Sequence, residues 1–247
     1  MPLALLLRTL LLAWLLLVAC LDCSPEAWAS ALQTPVTHGP RDRARVALTF
    51  DLCQVPGRPA GFDAEIVRIL EDKQLAATFF ACGDWMRTHP SETRRLAANP
   101  RFEIGSHSWS HPDMRQLSLS RIGEESGRAV AELQSLTGRT TRLFRLPYGF
   151  GSEKTLQALN DLGFAVIQWE VVTGDPDPNV SARDILNAVH NRTRNGSIII
   201  MHANGRGRHT AEALPGVLEE LERRGFELTT VSDLLGYPAP GPLAIGR

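Results

Sequence analysis

His107 and His111 are four residues apart in Ser106-His107-Ser108-Trp109-Ser110-His111. That spacing puts two imidazoles on one side of a turn, within reach of one ion. Surface histidines share the spacing, so the pair alone leaves metal binding open. Asp51 closes an apolar run at Thr49-Phe50-Asp51-Leu52-Cys53. A carboxylate there can move a proton or merely form a turn. His202 follows Ile198-Ile199-Ile200-Met201, and a titratable group that closes a buried strand has few structural reasons to be there. Two more segments share the position, Arg145-Leu146-Pro147-Tyr148-Gly149 and the stretch from Trp169 to Asp175-Pro176. The first reads equally as an ordinary turn and the second as a stiff loop. Five such features at five strand ends are not independent accidents.

The elements that must carry these groups repeat along the chain. Apolar, β-rich runs cover residues 45–53, 76–82, 102–106, 143–146, 165–172, 197–202 and 226–231. Several are continuous rather than alternating, as expected of strands buried on both faces. Helical stripes lie between them: Ile66, Val67, Ile69 and Leu70; Val130, Leu133 and Leu136; Leu214, Val217, Leu218 and Leu221. Gly138, Gly163, Gly196 and Gly225 stand where left-handed helix caps belong, and Ser181-x-x-Asp184 resembles a capping box. This alternation predicts an α/β fold with a parallel sheet, whose polar strand ends share one face. The pattern does not separate a closed barrel from an open sheet.

With 247 residues, 43% hydrophobic and 21% charged, the chain has ordinary globular composition. A net charge of -1 without a basic block argues against nucleic acid as a partner. Arg8 followed by the apolar run 9–21 reads as an export leader, shorter than the ~20 residues of a spanning helix. Cleavage after Ala27-Trp28-Ala29 would make residues 1–29 the signal peptide. Leu17-Val18-Ala19-Cys20 resembles a lipobox, which would end the signal at residue 19 and leave a lipid anchor on Cys20 as the sole membrane link. The expected organisation is then a linker over 30–44, one domain over 45–236 and a tail over 237–247, in an exported protein of the periplasm or cell envelope. Cys53 and Cys82 are the two cysteines in the domain; an oxidising compartment permits them to pair.

The ordered series Thr49-Phe50-Asp51, His107-x3-His111, Arg145-x-Pro147-Tyr148, Trp169-x5-Asp175 and Ile198-x3-His202 resembles the motifs of polysaccharide deacetylases, the NodB-homology carbohydrate esterases. The resemblance spans about residues 45–235. It implies a distorted (β/α) barrel of about seven parallel strands and a divalent metal cofactor, often zinc. It also implies removal of acetyl from N-acetylglucosamine polymers such as peptidoglycan, or from O-acetylated sugars such as xylan. Carried over by motif, His107 and His111 would hold the metal and Asp51 would be the general base, held by Arg145. His202 would be the general acid, oriented by Asp175, and the Tyr148 N–H would stabilise the oxyanion. Leu146 and Trp169 would wall the acetyl methyl, although packing alone explains them as well. The polar loop 203–209 after His202, including Asn204, is unusual and reads either as a sugar contact or as a solvated basic loop.

One position departs from the pattern. The family's second aspartate, its third metal ligand, is Leu52 here, and leucine cannot coordinate an ion. Three readings follow: Asp51 binds the ion itself, water or Cys53 completes the shell, or the site holds metal weakly. Two other functions stay open at this stage: a catalytically silent carbohydrate-binding homologue, and a metal-dependent amidohydrolase acting on a small non-sugar amide.

Overall fold

The computed structural model describes residues 34–54 and 60–237. The leader, its two cleavage motifs and the tail beyond Tyr237 lie outside those residues. In chain order the elements are β1 (Arg45–Leu52), α1 (Ala64–Asp72), β2 (Ala77–Ala81), α2 (Gly83–Thr88), α3 (Pro90–Ala98), β3 (Phe102–Ser106), α4 (Leu119–Thr137), β4 (Leu143–Phe144), α5 (Glu153–Asp161), β5 (Ala165–Val166), β6 (Val171–Val172), α6 (Ala182–Arg192), β7 (Ile198–His202), α7 (Thr210–Arg223), β8 (Glu227–Leu228) and α8 (Val231–Leu235). Short 3₁₀ turns follow β3 and β4 at Met114–Gln116 and Pro147–Gly149.

All strand pairings are parallel, in the order β5-β4-β3-β2-β1-β7-β6, with β8 against the start of β1. β1 is buried over seven of its eight residues, which explains its unbroken apolar run. Phe50 stacks on Phe79, and Phe79 meets the edge of Phe102, with ring centroids 5.4 and 5.2 Å apart. The striped faces of α1 and α7 pack into this same core. The capping box at Ser181 is formed, and Gly138 caps α4 in the left-handed conformation.

Two expectations change. Residues 165–172 are not one strand but two short ones, β5 on β4 and β6 on β7. Each lies at one margin of the sheet, so the chain between them crosses the opening of an incomplete barrel. Residues 34–44, expected as a linker, are tied to that opening. Val36 bridges Ile167, His38 bridges Ser197, and the Gln168 N–H donates to the Val36 carbonyl at 2.7 Å. Arg41 forms a two-bond fork on Glu170 at 2.7 and 3.0 Å and also reaches the Asn195 carbonyl. Among the described residues no helix is long and apolar enough to cross a membrane.

Candidate active site

The polar strand ends converge on a cleft of about 210 Å³. Asp51, His107, His111, Tyr148, Trp169, Asp175, His202 and Arg206 line it, together with Val172, Gly174, Pro176 and Ile200. It is smaller than the ~300–1,000 Å³ of pockets that engulf a drug-sized ligand.

Asp51 is 3% exposed. Arg145, fully buried, donates from Nη1 to Asp51 Oδ1 and to Thr49 Oγ1, both at 2.8 Å. The guanidinium lies over the Phe80 ring at 3.9 Å and donates to the Ile167 and Gln168 carbonyls. Burial alone would raise the Asp51 carboxyl, but the positive charges of Arg145, His107 and His202 outweigh it and hold the group below its ordinary range.

His202 sits opposite a carboxylate of its own. Asp175 is 2% exposed and accepts four bonds: the His202 N–H at 2.7 Å, His202 Nδ1 at 3.0 Å, Thr210 Oγ1 at 2.7 Å and Thr173 Oγ1 at 3.2 Å. This fixes the imidazole with Nδ1–H on Asp175 and Nε2 free for the cleft. Burial would lower the His202 pKa, yet Asp175, Asp51 and Cys53 together raise it, so the charged, proton-donating form is favoured. Gly207 is required here. A Cβ on it would lie 2.2 Å from Thr210 Oγ1 and 2.6 Å from Asp175 Oδ2, so a side chain would displace that carboxylate.

His107 and His111 come together, with ring centroids 4.8 Å apart. His107 Nδ1 bonds the Arg145 carbonyl at 2.9 Å, which leaves Nε2 as the ligand atom. His111 is 5% exposed, and its Nδ1 has no protein partner. A buried orphan nitrogen costs free energy unless something occupies it. Cys53 lies beside them, and one ligand atom from each of Cys53, His107 and His111 falls within 4.8 Å of the others. This donor set fits a divalent ion of the zinc kind.

The loop that carries the histidines is strained. Ser108 and His111 have φ of 67° and 58°, and Tyr148 in the facing turn has 59°, a region that non-glycine residues occupy at a cost when function demands it. Glu125 of α4 holds this loop. Its carboxylate accepts the Trp109 and Ser110 N–H groups at 3.0 and 2.8 Å and the Ser110 hydroxyl at 2.9 Å. Sequence reasoning missed Glu125, although its place among the apolar positions of α4 was a usable signal. Tyr148 puts its ring edge-on to His111 at 4.4 Å, and Trp169 stands against Gly149.

Two expected sugar contacts do not face the cleft. Leu146 is buried in a separate apolar cluster with Met114, Ile122 and Phe164. Asn204 is 1% exposed, and its amide is committed to the Cys53 carbonyl at 2.7 Å and the Cys53 sulfur at 3.5 Å. Arg206, two residues on, is the member of that loop that lines the cleft. Cys53 and Cys82 are both free and buried. The Cys82 thiol donates to the His107 carbonyl at 2.9 Å.

Three groups thus meet at the strand ends of an incomplete parallel barrel: the Asp51–Arg145 pair, the His202–Asp175 pair and the neighbouring His107 and His111. The polysaccharide deacetylase family model matches residues 38–167, and the chain belongs to that family. It is similar to the peptidoglycan-N-acetylglucosamine deacetylase of Bacillus cereus, 30% identical over 79% of this chain and 70% of that protein. Among solved structures it matches the Bc1960 peptidoglycan N-acetylglucosamine deacetylase (27% identity, TM-score 0.78, 88% of this chain and 100% of the other). It also shares its fold with BA3943 of Bacillus anthracis, a family 4 pseudoenzyme (24% identity, TM-score 0.73, 83% and 70% covered). The chain spans between 64% and 73% of the length of the first curated relatives it matches.

Proposed function

We propose that this chain is a metal-dependent hydrolase that removes acetyl groups from N-acetylated polysaccharide at the cell envelope, with peptidoglycan or another N-acetylglucosamine polymer as substrate. The observation that carries the reading is the convergence on one small cleft of Asp51 held by Arg145, His202 held by Asp175, and the His107–His111 pair. The named relatives supply the substrate class. The leader read over residues 1–29 supplies the location.

His107 and His111 would hold the ion. When bound, it supplies Lewis acidity at the acetyl carbonyl and acidifies water. Asp51, kept ionised, takes a proton from the attacking water, and Arg145 keeps the carboxylate aimed. The Tyr148 N–H stabilises negative charge that builds on the acetyl oxygen. His202 gives its Nε2 proton to the departing nitrogen, because an unprotonated amine is a very poor leaving group. Asp175 keeps that proton in supply. The rings of Tyr148 and Trp169 wall the cleft, and Arg206 stands where the polymer would cross.

Acetate release from N-acetylglucosamine oligomers and from peptidoglycan tests the reading, with acetate expected from at least one glycan. Activity confined to small non-sugar amides would refute the polysaccharide substrate. Glycan binding with no acetate released would make the chain a silent binder.

A further inference from the structure

The family's third metal ligand is an aspartate at the position of Leu52, and that side chain is lost to the site. Leu52 is fully buried within the main apolar core. Side chains of an extended strand alternate between faces, so residue 53, not 52, shares the side of Asp51. Cys53 is 1% exposed, and its sulfur clusters with His107 and His111. Among the described residues, Asp51 is not part of that cluster. One of its oxygens is bonded to Arg145 and the other faces His107 at 3.5 Å.

We propose that the Cys53 thiolate is the third protein ligand of the metal, completing a His₂Cys site with His107 and His111 and leaving Asp51 to act as base. This rests on the reading of the two histidines as ligands. Three protein ligands with one position open is the make-up of a catalytic zinc centre. Coordination deprotonates the thiol as the ion binds. The surroundings suit a bound thiolate. The Asn204 amide donates to the Cys53 carbonyl and reaches its sulfur at 3.5 Å, the kind of outer contact that fixes a ligand's orientation. His107 is fixed the same way by the Arg145 carbonyl. A thiolate also changes metal choice, favouring zinc, cobalt or other borderline-soft ions over magnesium and calcium.

Cobalt(II) reports a sulfur ligand directly. The full chain, stripped with a chelator and titrated with cobalt(II), is expected to show a thiolate-to-cobalt charge-transfer band in the near ultraviolet. Cys53→Ser should lose that band and bind cobalt and zinc at least ~10-fold more weakly, about 1.4 kcal/mol. Cys82→Ser should keep the band. A wild-type cobalt protein without the band would overturn the proposal even if Cys53→Ser failed to fold, and so would a band that survives in folded Cys53→Ser. The readout needs no turnover, so a band without acetate release would sink the substrate reading and leave the ligand standing.

Discussion

As proposed base and acid, Asp51 and His202 would carry opposite protonation demands, and each has one dedicated partner, Arg145 and Asp175. Asp51→Asn keeps a similar shape but cannot take a proton; with Cys53 as third ligand it should abolish acetate release while metal content, measured by elemental analysis, stays at wild type. Metal loss in Asp51→Asn would mean that the aspartate is itself a ligand. His202→Ala should lower turnover by roughly 10²–10⁴-fold, the usual range for general acid catalysis, with metal content unchanged. The pH profile adds a sign. His202 must be protonated to act, and its pKa is raised, chiefly by Asp175 working against burial. Activity should therefore be lost on the basic side as pH rises through this raised pKa, while the acidic side is set by the need to keep Asp51 ionised. Asp175→Asn removes the negative charge and keeps one acceptor, so the basic limb of kcat/KM should move to lower pH. An unmoved limb would dissociate His202 from that limb.

At the scale of elements, the site depends on contacts made behind it. Glu170 ties three segments together: Arg41 from the N-terminal stretch, Arg194 from the end of α6, and the Ser197 hydroxyl before β7. Burial would raise its carboxyl, but these partners push it down to about 2. A depressed carboxylate stabilises the fold above its unfolded pKa, near 4.5, and that stabilisation is lost as pH falls toward 2. Arg194 is 69% exposed, so solvent screening limits the gain to about 1–2 kcal/mol. Urea unfolding of wild type and Glu170→Gln should differ at pH 7 and converge only as pH falls to about 2. A constant gap would mean that the charge is irrelevant. Glu125→Ala should release the histidine loop, weakening metal binding more than it lowers the melting temperature. The strand ends were legible in the sequence because burial forces apolar runs and chemistry forces polar residues at their ends. The split of residues 165–172 was not, since two short strands joined by an extended crossing look like one long run. Nor was the docking of residues 34–44, because single bridges and an arginine fork leave no periodicity. Asn204 was misplaced for a related reason: a polar residue in a polar loop does not reveal which way it points. Cys53 was visible as a possibility, but only the turning of Leu52 into the core makes it the candidate.

At the scale of the molecule, β1 is the keystone, with β2, β7 and β8 all bonded to it. Its register with β7 joins Ala47 to Ile198 and Asp51 to His202, so these two residues are neighbours in space and far apart along the chain. Contacts of such long sequence separation form slowly, and synthesis delivers the N-terminal end first. The strand that carries Asp51 therefore keeps one flank uncovered until residues 198–202 are available to pair with it. A C-terminal truncation ending before Ile198 should leave β1 open to proteases and prone to self-association, whereas one ending after Gly236 should fold and resist both. The apolar run that makes β1 the centre of the finished barrel thus makes it the chief liability of the nascent one, a stretch for a chaperone to shield until its last partner arrives.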